Sequence, residues 1–271
     1  MSKIVVDAKR SAFRIDFREL FNYRDLFYVL AYRDLRVRYA QTFLGFLWAL
    51  LQPLATLLIF VLVFGMAVKV DTGNIPYPLF AVSGIAMWAY FGFVLNQSGN
   101  SIIGAQEMIK KIYFPRLVVP LSKAVVGFVD FGVSLLMLVI LMIVYGFTPS
   151  INILFAPLFM LLNIVAALSV GIWLGALTIR YRDFQHVIPF LVQFGMYATP
   201  VAYPARLVPE KYQLIYNLNP MAGVIQGFRW SVFGGNPPDV YFYISMAVII
   251  LLFISSLFYF KKVEDVMADI V

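Results

Sequence analysis

The chain has 271 residues, of which 62% are hydrophobic and only 13% are charged. A soluble domain carries about 25% charged residues, so this apolar excess requires lipid as the solvent for much of the surface. Cysteine is absent and His186 is the only histidine. This composition excludes disulfides and thiolate metal sites and argues against any metal centre or acid/base catalyst. The net charge of +7 is explained by lysine and arginine in cytoplasmic loops, so it does not require a nucleic-acid partner.

Residues 1–43 form a charged N-terminal region that lacks the apolar core of a signal peptide. Within it, Asp16–Gln41 alternates apolar and basic residues at roughly helical spacing, which predicts an amphipathic helix in the inner membrane interface. Arg33, Arg36 and Arg38 belong to its basic face, and guanidinium groups fit phosphate oxygens. Two interpretations stay open: a platform for a phosphate-bearing lipid or a cytosolic partner, and plain anchoring.

Residues 44–271 are predicted to form a single, all-α transmembrane domain. Long apolar runs indicate six spans, at about 44–68, 77–98, 117–147, 151–179, 187–203 and 240–260. Five of these runs are long enough to cross a hydrocarbon core of ~30 Å, whereas the run at 187–203 is marginal.

Orientation follows from the positions of lysine and arginine. With the N-terminus inside, most of the 21 cationic residues fall in inner segments, and six crossings keep Lys261 and Lys262 inside as well. Both termini are therefore expected to be cytoplasmic. Between spans five and six, Asn219-Pro220 begins a predicted helix, Met221–Phe233, which is too short to span. It is expected to be an external re-entrant or interfacial helix, with a simple loop as the alternative.

The inner loop Asn100–Arg116 combines charges with an apolar set that an ordinary basic loop does not need. This pattern predicts a short helix ending before Pro115 that contacts a soluble partner and transmits movement to the adjoining spans. The candidate contact residues are Gln106, Glu107, Met108, Ile109, Lys110, Lys111, Ile112 and Tyr113.

Asp130 lies about a dozen residues into the third span, where a carboxylate is costly. It either lines a watery pathway or pairs with a neighbour such as Lys123, seven residues earlier. The chain is also rich in aromatic residues, whose rings stack on sugars but also form ordinary interfacial belts. The aromatic residues predicted to line a channel are Trp48, Trp88, Tyr90, Phe93, Phe194 and Tyr197.

No nucleotide-binding motif is present, because no glycine in the chain is followed by lysine as a P-loop requires. If ATP drives transport, the ATPase is another chain. A membrane-embedded glycosyl- or acyltransferase is the alternative from a different class. It would need a cluster of polar catalytic residues at one membrane face, and the single His186 and sparse carboxylates argue against it.

Three blocks of the sequence resemble a known family. They are Tyr32–Tyr39 leading into Leu44–Leu54, then Ile109–Arg116, and then Asn217–Met221. In this order they are similar to the type-two ABC permeases that export polysaccharides and teichoic acids, and most similar to those for O-antigen. The likeness extends over nearly the whole chain.

The resemblance implies a homodimer in the bacterial cytoplasmic membrane, with two cytosolic ATPase subunits that bind ATP and magnesium. It implies that residues 106–113, named here the coupling segment, dock on the ATPase, and that the segment after span four does so too. The residues of that second segment are Arg180, Arg182 and Asp183. The implied substrate is a glycan on undecaprenyl diphosphate, received near Arg33, Arg36 and Arg38. O-antigen, capsule and teichoic acid remain open as the glycan.

Overall fold

The computed structural model of the protein describes residues 17–39 and 47–270, with side chains described as far as residue 264. The predicted domain boundary at residues 43 and 44, the beginning of the first predicted span and the ends of the predicted amphipathic helix lie outside the described residues. Within the described ranges every regular element is helical. The all-α prediction is confirmed for this part of the chain.

The N-terminal half forms six helices. These are α1 (Phe17–Asn22), α2 (Arg24–Tyr39), α3 (Leu47–Phe60), α4 (Tyr77–Gly104), α5 (Gln106–Lys111) and α6 (Val118–Val144). A π-helical turn, Val61–Ala67, prolongs α3. The C-terminal half adds α7 (Ala156–Arg180), α8 (Phe184–Tyr197), α9 (Glu210–Tyr216), α10 (Pro220–Phe233) and α11 (Tyr241–Ile270). Short 3₁₀ turns precede α7 and α9.

Five helical segments in the described part of the chain are long and apolar enough to cross a membrane. They cover 47–67, 77–104, 118–144, 151–180 and 241–264. These segments correspond to predicted spans one, two, three, four and six, so the chain is a multi-pass membrane protein. The fifth predicted span instead appears as α8, with 14 residues and Pro189 inside it. At 1.5 Å per residue α8 is about 21 Å long, which alone falls short of a hydrocarbon core.

The helix α4 is the centre of the bundle and is the most buried of the five long segments. Small residues allow α7 to approach it closely: a methyl group added at Gly171 would lie 2.7 Å from the Cβ of Ser98. Hydrogen bonds join α4 to α6, where the Tyr90 hydroxyl donates to the Ala124 carbonyl oxygen at 3.0 Å. Close approach through small residues is the usual way in which helices pack inside lipid.

The segment that contains α8 runs antiparallel to α4. Contacts between the two occur at successive levels, pairing Ile188 with Gly99, Val192 with Gly92, Gly195 with Trp88, and Val201 with Gly84. At the last level the Tyr77 hydroxyl donates to the Ala202 carbonyl oxygen at 2.9 Å. Residues 184–203 therefore accompany α4 along most of its length, although only the first 14 of them are regular helix.

At the end of the bundle opposite α5, the helix α10 packs over the first turns of α4. The side chain of Asn219 caps it by accepting from the backbone N–H of Met221 at 3.0 Å, and Pro220 follows at the first helical position, as expected for a helix start. The predicted helix Met221–Phe233 is therefore present with nearly the predicted bounds. More than one external helix was predicted between spans five and six, but no bounds were predicted for the neighbouring helix α9.

Arg229 of α10 is 7% exposed, and its guanidinium joins three segments. It donates to the Ser83 hydroxyl at 3.2 Å and to the carbonyl oxygens of Phe80 at 2.9 Å and Val201 at 2.7 Å. It also lies 3.5 Å from the centroid of the Phe80 ring. These bonds tie α10 to α4 and to the segment after α8.

A comparison of two helical glycines tests this packing. A methyl group at Gly227 would lie 1.9 Å from Phe159 Cε1, whereas nothing lies within 4 Å of one at Gly132. We expect Gly227→Ala to destabilise the chain by roughly 1–3 kcal/mol through overpacking between α10 and α7. Gly132→Ala is the matched control and should be neutral or stabilising by up to about 1 kcal/mol. Thermal unfolding of the two purified variants in detergent measures the difference, and equal stabilities would contradict the packing.

Candidate functional site

The coupling segment lies at the end of the bundle where α4 ends and α6 begins. As predicted, it contains a short helix, α5, and it presents both charged and apolar groups. Glu107 and Lys111 form an exposed i,i+4 ion pair at 3.7 Å. Ile112 is 51% exposed and Tyr113 is 80% exposed. Apolar side chains this exposed beside charges are typical of a surface that a protein partner covers.

The connection between α5 and α6 is bonded to both ends of the described chain. The Tyr23 hydroxyl, between α1 and α2, donates to the Tyr113 carbonyl oxygen at 3.4 Å, and the Tyr113 hydroxyl donates to Glu19 of α1 at 3.4 Å. The backbone N–H of Arg116 donates to the Glu264 carboxylate of α11 at 3.2 Å. Desolvation and the neighbouring Glu19 carboxylate raise the pKa of Tyr113, so its hydroxyl keeps its proton as a donor.

The second predicted contact segment, between α7 and α8, lies at the same end of the bundle. The Thr178 hydroxyl in the last turn of α7 donates to the Gly99 carbonyl oxygen near the end of α4, at 3.1 Å. Arg180, Arg182 and Asp183 follow directly and are all exposed. The fold thus brings both predicted contact segments to one end of the molecule.

A cluster of charged side chains fastens α2 to α6. Lys123 forms an ion pair with Asp34, and both side chains are largely buried. Asp130 accepts from Arg38 and also from the Tyr39 hydroxyl, the latter at 2.6 Å. The pairing of Asp130 with Lys123 that the sequence offered is therefore wrong. Each carboxylate instead pairs with a cation on the other helix, as buried charges in an apolar environment require.

The three arginines that were predicted to act together have different surroundings. Arg38 is held by Asp130, and its guanidinium lies 4.3 Å from the Phe93 ring centroid. The side chain of Arg33 is about half exposed and contacts Asp34 at 2.8 Å, while Arg36 is exposed. Of these three arginines, Arg33 and Arg36 have the more exposed side chains.

The six predicted channel aromatics divide into three groups. Phe93 is half-buried beside the Arg38 guanidinium. Trp88 and Tyr90 are 7% and 1% exposed, respectively, and pack between helices of the same chain. Their assignment to a channel surface is wrong for this arrangement, because α6 and α8 cover them. Trp48, Phe194 and Tyr197 are at least half exposed on α3 and α8.

Sequence reasoning missed three charged residues that connect helices, Asp34, Glu264 and Arg229, and it gave Lys123 the wrong partner. Asp34 was a recognisable candidate, because a carboxylate on a helix at the membrane needs a cationic partner. Arg229 stood in an otherwise apolar helix, which is also informative. For neither residue did the sequence identify the partner, which lies far away along the chain.

Comparison with known proteins identifies the class. Residues 25–233 match the family described as ABC-2 type transporter. The chain is 29% identical over 252 residues to the O-antigen export system permease protein RfbA of Myxococcus xanthus, covering 91% of this chain and 96% of that protein. It is 30% identical over 247 residues to RfbA of Klebsiella pneumoniae, covering 91% and 95%, respectively.

A more distant relative is the polysialic acid transport protein KpsM of Escherichia coli, at 24% identity over 244 residues, covering 88% of this chain and 93% of that protein. The family match covers most of the chain. This protein belongs to the ABC-2 type transporter family. The resemblance predicted from the sequence is confirmed.

The charge cluster between α2 and α6 gives a direct prediction. Replacing Asp130 by Asn leaves Arg38 without its carboxylate, so α2 should detach more easily from α6. We expect amide hydrogen exchange in residues 24–39 to accelerate about tenfold, which corresponds to a loss of about 1.4 kcal/mol. The matched control is Asp25→Asn, because the side chain of Asp25 is 92% exposed and its ion pair with Arg24 is long, at 3.9 Å. Similar exchange in both variants would contradict the fastening role.

Proposed function

We propose that this chain is the permease subunit of an ATP-driven polysaccharide exporter in the bacterial inner membrane. Two copies form the transport path, and two cytosolic ATPase subunits, which bind ATP and magnesium, dock on the coupling segments. The observation that carries the proposal is the exposed coupling segment, which is bonded to α1 through Tyr113 and is followed by Arg116, which is bonded to α11. The names of the relatives support polysaccharide as the cargo.

The docking step has a physical basis in the exposed side chains. Ile112 and Tyr113 provide apolar area that a groove of the ATPase would bury, and Lys110 and Lys111 provide charge for orientation. Because α5 follows α4 after a single residue and is joined to α6 by residues 112–117, a displacement of the docked ATPase moves both spans. Arg180, Arg182 and Asp183 form the second contact on the same side.

We propose six membrane crossings with both termini in the cytoplasm. The contacts of residues 184–203 with α4 at successive levels support the fifth predicted span as a crossing, because a segment that accompanies a spanning helix traverses the same depth. Backbone that is not helical at this depth is acceptable where protein covers it. In this arrangement α9 and α10 lie on the external side, with α10 as a re-entrant helix.

The proposed cargo is an O-antigen-like glycan linked to undecaprenyl diphosphate. Arg33 and Arg36 receive the diphosphate, while Arg38 holds α2 on α6. The exposed rings of Trp48, Phe194 and Tyr197 line the path between the two copies, giving weak stacking contacts that let a polymer slide. KpsM, the more distant relative, supports an acidic capsular polysaccharide as the second candidate.

The absence of cysteine makes the topology directly testable by labelling introduced cysteines. We expect Lys211→Cys to react with a membrane-impermeant maleimide in intact cells. Arg182→Cys should react only after permeabilisation, because segment 184–203 separates the two positions by one crossing. Lys262→Cys serves as a second inner position. Reaction of positions 182 and 211 from the same side would refute the crossing by residues 184–203.

A pair of exposed isoleucines tests docking of the ATPase. Ile112→Ser removes apolar contact area from the coupling segment, so we expect at least about tenfold weaker association with the ATPase subunit, together with loss of surface glycan. Ile151→Ser is the matched control, since Ile151 is 86% exposed at the opposite end of the bundle. Co-purification and surface-glycan staining measure the two effects. Unchanged association in Ile112→Ser would exclude this segment as the docking site.

A further inference from the structure

In its second half, the central helix α4 is covered by neighbouring helices on every face but one. Among residues 88–102, only Ala89, Phe93, Asn96, Gln97 and Asn100 escape burial. Their spacing places them on one face, where they form a continuous line along the helix. Three of them carry carboxamides, and Asn96, Gln97 and Asn100 are named here the carboxamide stripe. Polar side chains therefore occupy the one open face in this half of the most buried span.

The carboxamide stripe has unused hydrogen-bonding capacity. The Asn100 amide nitrogen donates to the backbone carbonyl oxygen of Asn96 at 3.0 Å and to its Oδ1 at 3.3 Å. Within the described part of the chain, no group bonds to the Asn96 amide nitrogen, to Asn100 Oδ1 or to either polar atom of the Gln97 side chain. A carboxamide offers two donor hydrogens and an acceptor oxygen. Donors and acceptors thus stand side by side on the stripe, which suits hydroxyl groups, because these also donate and accept.

The carboxamide stripe lies between α8 on one side and α2 on the other. In two antiparallel helices, the residues that directly follow a contact pair turn to the same side of the pair. Val192 of α8 packs on Gly92 of α4, so Gln193 and Phe93 both face the side of the stripe. At the other border, the Arg38 guanidinium of α2 lies 4.3 Å from the Phe93 ring centroid. Gln193 is exposed, and it adds a fourth carboxamide on this side of the molecule.

The position along α4 places the stripe at the inner membrane interface of the proposed topology. Asn96 lies about 29 Å from the start of the helix at Tyr77, at about 1.5 Å per residue. Because a hydrocarbon core is ~30 Å thick, the stripe lies where the headgroups begin, on the side of the coupling segment. Gln193, at the level of Gly92, lies about 6 Å deeper. Acyl chains offer no hydrogen bonds to an exposed carboxamide at that depth, so this side of the molecule requires a polar occupant.

We propose that the carboxamide stripe binds the saccharide unit nearest the diphosphate of the lipid-linked glycan. The diphosphate of such a lipid lies among the headgroups, so the sugar attached to it reaches the depth of the stripe. Gln97 and Asn100 exchange hydrogen bonds with the hydroxyl groups of this sugar. The stripe has no formal charge, so it recognises hydroxyl or acetamido groups, whereas the diphosphate requires cationic side chains. This inference rests on the proposed function, because it takes the cargo to be a lipid-linked glycan that enters from the inner side.

The test uses the full chain with its ATPase partner in nanodiscs, without ATP. Isothermal titration calorimetry measures the binding of two probes, a prenyl diphosphate that carries one neutral hexose and the same prenyl diphosphate without a sugar. We expect the hexose-bearing probe to bind at least about tenfold more tightly, as two or more hydrogen bonds would allow. The double variant Gln97→Met/Asn100→Leu should remove this preference and leave the affinity for the sugar-free probe unchanged.

Two further variants separate sugar binding from folding. The control makes the same substitutions at the opposite end of the bundle, as Gln226→Met/Asn236→Leu, and should keep the preference. Gln97→Met alone preserves the length and the helix propensity of an exposed side chain, so this variant should fold normally. We expect it to reduce the preference about threefold.

The possible outcomes distinguish the stripe from the proposed function. Equal binding of the two probes by a complex that exports glycan, or an unchanged preference in Gln97→Met and the double variant, would overturn the stripe as a sugar site. Loss of the dimer in the double variant, measured by native mass spectrometry, would place the stripe between the two copies and overturn the inference as well. A complex that exports no glycan with its ATPase overturns the proposed function, and this inference with it.

Discussion

The arrangement of the whole chain depends on the close packing of neighbouring helices against α4. In lipid the hydrophobic effect gives little attraction between helices, so contact distance and van der Waals complementarity decide which surfaces meet. Glycines at positions 84, 92 and 99 of α4 accept Val201, Val192 and Ile188 at distances that any larger side chain would prevent. For this reason α8, which is too short to define a span by itself, has a fixed position against α4.

The charged groups follow a second constraint, since each charge in apolar surroundings needs a partner. Lys123 and Asp130 of α6 are paired with Asp34 and Arg38 of α2. Arg229 is not paired with a carboxylate but with a hydroxyl and carbonyl oxygens of two other segments. In each case the partner belongs to a distant element. The few charges within the bundle therefore select which helices are neighbours.

Sequence patterns predicted the long helices because an apolar run of span length has few alternative structures. The second span extends to Gly104 instead of residue 98, because polar residues at its end remain helical; the Asn100 side chain, for example, donates back to the Asn96 carbonyl oxygen at 3.0 Å. The start of α10 was predictable from Asn219 and Pro220, which act locally. The partner of Asp130 was not, because Arg38 is 92 positions away and only tertiary packing brings them together.

A difference in bond strength explains how movement at the coupling segment would spread. Tyr113 is joined to Glu19 of α1 and to Tyr23, which follows α1, by long, exposed hydrogen bonds of 3.4 Å, which are weak. The bonds between α2 and α6 are charge-assisted and partly buried, and such bonds are roughly twice as strong as neutral ones. The helix is also interrupted between α1 and α2, at Tyr23. A displacement of α5 should therefore break the contact with α1 first, while α2 stays fastened to α6 and moves with it.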